Sequence, residues 1–168
     1  GDGTKFDLEA LKKVWRFTAG MSGIALTGLV FTQLDKVLLS RILGLEEFGH
    51  YMLATAVATS LYVIVTPLFN ILSPRFSALT AMNDKEELTK TYRLAMKFLA
   101  SIIFPAAMML SFFSEELVFV WTDNALLSTS IASVVAILSL GTALHGIMYL
   151  PYALQMGFGM THLILRNN

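Results

Sequence analysis

Long apolar stretches separated by short charged ones dominate the chain. Residues 17–34, 48–74, 98–114 and 124–165 contain no Asp, Glu, Lys or Arg. A hydrocarbon core of about 30 Å takes about 20 mostly apolar residues at about 1.5 Å each. The first three stretches each suit one crossing, with Leu88, Tyr92 and Met96 extending the third backwards. The fourth is too long for one. Leu150-Pro151-Tyr152 and Gly157-Phe158-Gly159 carry turn signals, which divide it after Tyr149. Inside lipid only helices and closed barrels satisfy the backbone, and runs this long are helical. The pattern predicts an all-α fold, a polytopic transmembrane helical bundle with about four spanning helices. Their expected positions are about 17–41, 48–72, 92–114 and 125–149, with 150–168 a turn and cytoplasmic segment leading to a further span.

Two polar stretches introduce helices. Thr4 with Asp7 resembles a capping box, and Leu8, Leu11 and Trp15 then recur at helical spacing beside Lys12, Lys13 and Arg16. That predicts an N-terminal interfacial helix. Asp84 with Glu87 forms a second cap ahead of the third span. Ala19 with Gly23, Ala54 with Ala58, and Ser128, Ala132 and Ala136 are spaced for close helix approach.

Composition agrees. Hydrophobic residues make up 55% of the chain, and mean hydropathy is +0.66. Charged residues make up 14%, where soluble domains carry about a quarter. Net charge is zero and no basic tract is present, which points away from nucleic acid. Cysteine is absent, which removes disulfides and thiolate chemistry. The polar first ten residues are unlike a signal peptide, and both ends read as cuts through a longer protein. With the N-terminus cytoplasmic and the spans alternating, all of the 12 Lys and Arg except Lys36 and Arg41 fall inside. The positive-inside rule favours that orientation.

The run from Gln33 to Arg41 is the richest in candidate chemistry. Gln33, Lys36 and Ser40 share a helical face, with Thr32 and Asp35 on the next. Ionisable groups in a span usually face a cavity, a partner or water, and a cation beside polar groups suits phosphates and hydroxyls. Lys36 also falls near the outer interface, where a lysine snorkels at little cost. Both readings stand. In span two, Thr66-Pro67-Leu68-Phe69-Asn70 places a proline inside a helix, as does Pro105 in span three. Either is a hinge or a static kink; Pro67 is the gating candidate, while Pro74 marks the end of its helix. Asn70 and Arg75 join the candidate transport residues. Arg75, Arg93 and Lys97 cluster on the cytoplasmic side, as topogenic charge or as partners of head groups or a phosphate. His145 lies mid-span, to bond a neighbouring helix or to relay a proton. No nucleophile elbow, phosphate loop or metalloprotease motif is present, and the acidic pairs fall in expected loops. The expectation is a non-enzyme with no catalytic residue, metal or cofactor.

Gln33-Leu34-Asp35-Lys36-Val37-Leu38-Leu39-Ser40-Arg41, continuing through Ile42-Leu43-Gly44-Leu45-Glu46-Glu47-Phe48-Gly49, resembles the bacterial oligosaccharide (O-antigen type) flippases. Gly20-Met21-Ser22-Gly23 and Leu150-Pro151-Tyr152-Ala153-Leu154-Gln155 share the likeness. These flippases belong to the multidrug, oligosaccharidyl-lipid and polysaccharide exporter superfamily. The resemblance implies a longer protein with two pseudo-symmetric bundles, of which this chain is the start of the second. It implies a bacterial cytoplasmic (inner) membrane location. The partners would be the lipid bilayer, a lipid-linked oligosaccharide substrate, and the first helical bundle of the same chain. Gln33, Asp35, Lys36 and Arg41 would line the transport cavity and meet sugar hydroxyls or pyrophosphate during alternating access. A drug exporter of the same superfamily, favouring acidic cavity residues, is one alternative. A membrane polymerase or glycosyltransferase of polysaccharide assembly is the other.

Overall fold

The computed structural model describes residues 26, 29–30 and 32–165. The expected interfacial helix, the Thr4–Asp7 cap, the Ala19–Gly23 pair and most of the first expected span lie outside the described residues. The chain divides into two compact units, Gly1–Phe48 and Gly49–Asn168. Every described residue belongs to a helix or a short connection between helices, so the all-α expectation holds.

In the first unit, residues 32–42 form α1, which ends at Leu43–Gly44. Six further helices follow: α2 (Leu45–Thr59), α3 (Tyr62–Ala81), α4 (Lys85–Phe112), α5 (Ser114–Thr122), α6 (Ala125–Ile147) and α7 (Tyr149–Leu165). Their starts are chemically encoded. Asp84 accepts the Glu87 N–H at 3.0 Å, as its cap spacing predicts, and Asn124 accepts the Leu127 N–H at 3.0 Å. Glu46–Glu47 and Glu115–Glu116 occupy the first turns of α2 and α5, where the helix dipole favours carboxylates. Those acidic pairs are therefore helix starts, not the loops that the charge pattern predicted. Asn83 and Asp123 adopt positive φ in the tight connections, a conformation their short polar side chains tolerate.

Three of the connections hardly interrupt the helices. α2 meets α3 at Ser60–Leu61, α4 meets α5 at Phe113, and α6 meets α7 at Met148. Across each one the buried stripe keeps its phase. Ala54, Ala58, Leu61, Val65, Leu72 and Phe76 form one stripe, and Leu88, Ala95, Leu99, Ile103, Ala107, Ser114 and Val118 the next. The last runs Ser128, Ile131, Val135, Ser139, Ala143, Gly146, Leu150, Ala153 and Gly157. Steps of three, four and seven keep each stripe on one face. The unit is thus built on three long helical runs, each interrupted once.

The interruptions at Leu61 and Met148 have local causes. Pro151 cannot donate to the Ile147 carbonyl and its ring crowds that carbonyl, so the chain turns at Met148, whose N–H bonds the His145 carbonyl at 3.0 Å. At Ser60–Leu61 four N–H groups, from Ser60, Leu61, Val63 and Ile64, bond three residues back. Thr59 and Ser60 also donate their hydroxyls to preceding carbonyls, a pattern that bends helices.

Two expectations need correction. Residues 150–165 are helical, not a turn: the proline strain is taken up at Met148, and packing on α3 holds the rest. A Cβ added at Gly157 would lie 3.2 Å from the Ser77 nitrogen and 3.3 Å from the Phe76 carbonyl carbon, so glycine here permits backbone-to-backbone approach. Likewise α3 continues through Pro74 to Ala81, because Phe76, fully buried beyond it, packs against Tyr92 of α4. Among the described residues, the helices long and apolar enough to cross a membrane are Tyr62–Ala81, Lys85–Phe112 and Ala125–Phe158.

Candidate functional site

The sequence-predicted residues fall into separate groups. On α1, Lys36 Nζ donates to Gln33 Oε1 at 3.1 Å, so the two do share a face. Ser40, on the same face, gives its hydroxyl to the Val37 carbonyl. Lys36 is half-buried, while Gln33, Asp35 and Arg41 are exposed. Asn70, Pro67 and Arg75 lie in the second unit, exposed along α3. Pro74 lacks the N–H that would have bonded the Asn70 carbonyl.

The Arg75 guanidinium pairs with Glu87 Oε1 at 3.2 Å across the α3–α4 turn, and Lys90 approaches the other oxygen at 3.7 Å. Both pairs are solvent-exposed, so each is worth at most about 1 kcal/mol. Arg93 and Lys97 instead line a shallow groove of about 550 Å³ along α4 with Glu86, Thr89, Lys90 and Leu94.

The most elaborate side-chain assembly is one that sequence reasoning missed. Tyr62 opens α3, and its hydroxyl lies 2.7 Å from His145 Nδ1 on α6. Tyr149, at the start of α7, packs edge-on against His145 at 5.5 Å and Phe69 at 5.6 Å, and tilted against Tyr62 at 5.7 Å. Tyr152 stacks on Phe69 at 6.2 Å and 12°. Together Phe69, His145, Met148, Tyr149 and Tyr152 line a cleft of about 460 Å³. It sits where α3 meets the bend between α6 and α7. His145 bonds a neighbouring helix, as one of its two expected roles required. The signal for the rest was present: Tyr62 and Phe69 are seven apart, and His145, Tyr149 and Tyr152 are four and three apart. Reading Pro151 as a turn removed the tyrosines from the helical face.

Close packing lies next to the cleft. A Cβ at Gly146 would lie 2.8 Å from Ile103 Cδ1 and 3.0 Å from Val65 Cγ2, so α3, α4 and α6 converge one residue beyond His145. The surroundings are uncharged. Among the described residues, 62–74, 98–112 and 125–158 contain no Asp, Glu, Lys or Arg. Nor do the described residues hold any group of three His, Cys, Asp or Glu placed to bind a metal.

Long apolar helices, three of them among the described residues long enough to cross a membrane, with an aromatic cleft where α3 meets the α6–α7 connection, define a polytopic helical membrane protein. The chain belongs to a polysaccharide biosynthesis protein family, whose model matches residues 3–130. Its role is therefore in polysaccharide assembly. The match covers Tyr62 and Phe69 and ends before His145, Tyr149 and Tyr152. No curated protein and no solved structure matches the chain.

Proposed function

We propose that this chain is part of a flippase, not an enzyme. It carries a polyprenyl-pyrophosphate-linked oligosaccharide across the bacterial cytoplasmic membrane by alternating access, with the N-terminus of the chain cytoplasmic. The observation that carries this reading is the set of three apolar helical runs, each interrupted once without loss of its buried stripe. Such runs can flex at their interruptions while keeping their packing, which is what rocking one bundle against another asks of them. Pro67 within α3 and Pro151 beside the Met148 interruption act as the gate. Gln33 and Lys36, with Asp35 and Arg41 nearby in sequence, supply amide and cationic partners for the sugar and pyrophosphate.

The test is deletion of the parent gene followed by complementation with the full-length protein. Complete lipid-linked repeat units accumulating on the cytoplasmic leaflet support the flippase. Intermediates that stay unextended or unpolymerised sink it in favour of an enzyme. In the same strain Lys36→Ala is expected to abolish surface polysaccharide at an unchanged membrane level of protein. Normal polysaccharide would remove Lys36 from the mechanism.

A further inference from the structure

We propose that the basic groove on α4 holds the head group of an anionic phospholipid, whose acyl chains lie along the exposed apolar face of the same helix. Depth, charge and the character of that face point to this one partner.

α4 is longer than a bilayer core requires. Its 28 residues span about 42 Å, against a hydrocarbon core of about 30 Å, so its first turns stand outside the hydrocarbon. Residues 98–114 hold no Asp, Glu, Lys or Arg and make about 25 Å of helix. The hydrocarbon boundary therefore falls close to Lys97. Arg93 lies one turn further out, about 6 Å. Head groups add about 5–7 Å to each side of the core. Arg93 and Lys97 thus bracket the depth of the lipid phosphates.

The groove, about 550 Å³ in volume, carries Lys90, Arg93 and Lys97 against a single carboxylate, Glu86. The other nearby acid, Glu87, is already committed to Arg75 at 3.2 Å and to Lys90 at 3.7 Å. Arg93 and Lys97 are exposed, and among the described residues neither has an ion-pair partner. Three and seven residues after Lys90, they share its face of the helix. A guanidinium that forks two oxygens, beside a lysine, suits a phosphate. Anionic lipids present phosphates at this depth.

Beyond Lys97 the same face turns apolar at once. Phe98, Phe104 and Met108 are all exposed there, with Leu94 exposed between the cations. Ser101 is the polar residue in this stripe, and it gives its hydroxyl to the Phe98 carbonyl at 2.8 Å. An acyl chain on the stripe therefore leaves no side-chain hydroxyl unsatisfied. Cations that only set topology need to lie on the correct side of the membrane. They need no groove, no freedom from acidic partners and no apolar stripe in line with them. A protein partner would have to bring carboxylates to the phosphate depth, whereas the phospholipid is already there.

The chain contains no cysteine, so a single fluorophore reports on one place. Ser101→Cys, about 6 Å into the hydrocarbon from Lys97, is labelled with a bimane in full-length protein without other cysteines. The protein is reconstituted in phosphatidylcholine bilayers. Phosphatidylglycerol or phosphatidylcholine, brominated on the acyl chains, is then added as the quencher. The anionic lipid is expected to quench at about tenfold lower mole fraction than the zwitterionic one. At Phe112→Cys, 74% exposed at the other end of α4, the two should quench alike. About 1 M salt should erase most of the preference at position 101. Arg93→Gln combined with Lys97→Gln should abolish it, without moving the unfolding midpoint in dodecyl sulfate. Equal quenching by both lipids at position 101, or a preference that survives salt or the double substitution, overturns the site. Unbrominated polyprenyl phosphate then distinguishes the sources of phosphate. Displacing brominated phosphatidylglycerol no better than its unbrominated form does supports the phospholipid. Displacement at a lower mole fraction assigns the groove to a polyprenyl lipid and overturns the proposal. Quenching requires no translocation, so its outcome is independent of the leaflet assay that tests the flippase.

Discussion

The second unit has two cores built on different principles. One gathers α3, α4, α7 and the end of α6 around Val65, Phe76, Leu99, Ile103 and Leu150. The other joins α2, α5 and the start of α6 through Ala54, Val118, Ile131 and Val135. The first is aromatic and glycine-keyed, and all four prolines of the chain fall in its helices. The second holds no proline and is lined by small aliphatic residues, with Thr129 of α6 tied to Glu115 of α5 at 2.7 Å. Helices in lipid gain little from hydrophobic association and depend on fit and on polar contacts. Two of the three interruptions and the candidate cleft therefore fall in the glycine-keyed region, where movement of one helix must be felt by two others.

Gly146 is the sharpest place to break that region. A larger side chain there would strike Ile103 and Val65, both essentially unexposed, and both would have to shift inside a packed core. Gly146→Leu is expected to destabilise the protein by about 3 kcal/mol or more, read as an earlier unfolding midpoint in a dodecyl sulfate titration of purified protein in mixed micelles. Five residues away on the same helix, Gly141 is exposed, and a Cβ there would meet nothing within 4 Å. Gly141→Ala should be neutral, or stabilising by up to about 1 kcal/mol through helix propensity. Equal losses at both glycines would mean that packing at Gly146 is not what distinguishes the aromatic core.

The sequence revealed this architecture unevenly. The charge-free runs located apolar helices, and the Asp84 cap and the buried pair Ala54 and Ala58 followed from local spacing. Prolines were the failure. Pro74 and Pro151 both read as helix ends, because an isolated chain would stop there. In the fold they are tolerated, since Phe76 and Gly157 commit the following turns to tertiary contacts that propensity cannot see. The cleft was lost for that reason. Candidate polar residues fared differently: spacing alone brought Gln33 and Lys36 together. No periodicity could show that Arg75 would turn to Glu87, which is twelve residues on and across a hairpin.

The small-residue core is tested by enlarging Ala54, which is fully buried against α5 and α6. Ala54→Leu is expected to cost about 1–2 kcal/mol, less than Gly146→Leu. Its neighbours Leu53, Val57 and Leu127 are only partly buried and can yield outward. In the same titration, a loss equal to or above that of Gly146→Leu would reverse the ranking of the two cores.

The smallest expected effect concerns a defect between the cores. Ser139 is fully buried on α6, and its hydroxyl has no hydrogen-bond partner. Most serine and threonine hydroxyls on these helices bond a carbonyl three or four residues back, as Ser77, Ser101 and Ser130 do. An unpartnered buried hydroxyl carries a desolvation penalty that removal of the group relieves. Ser139→Ala deletes one atom from the stripe without adding volume, so it should raise stability by about 0.5–1 kcal/mol. The unfolding midpoint should rise while the surface polysaccharide of the cells is unchanged. A loss of stability would show that Ser139 has a partner in the membrane, and that the stripe between Val135 and Ala143 is held by a polar contact as well as by fit.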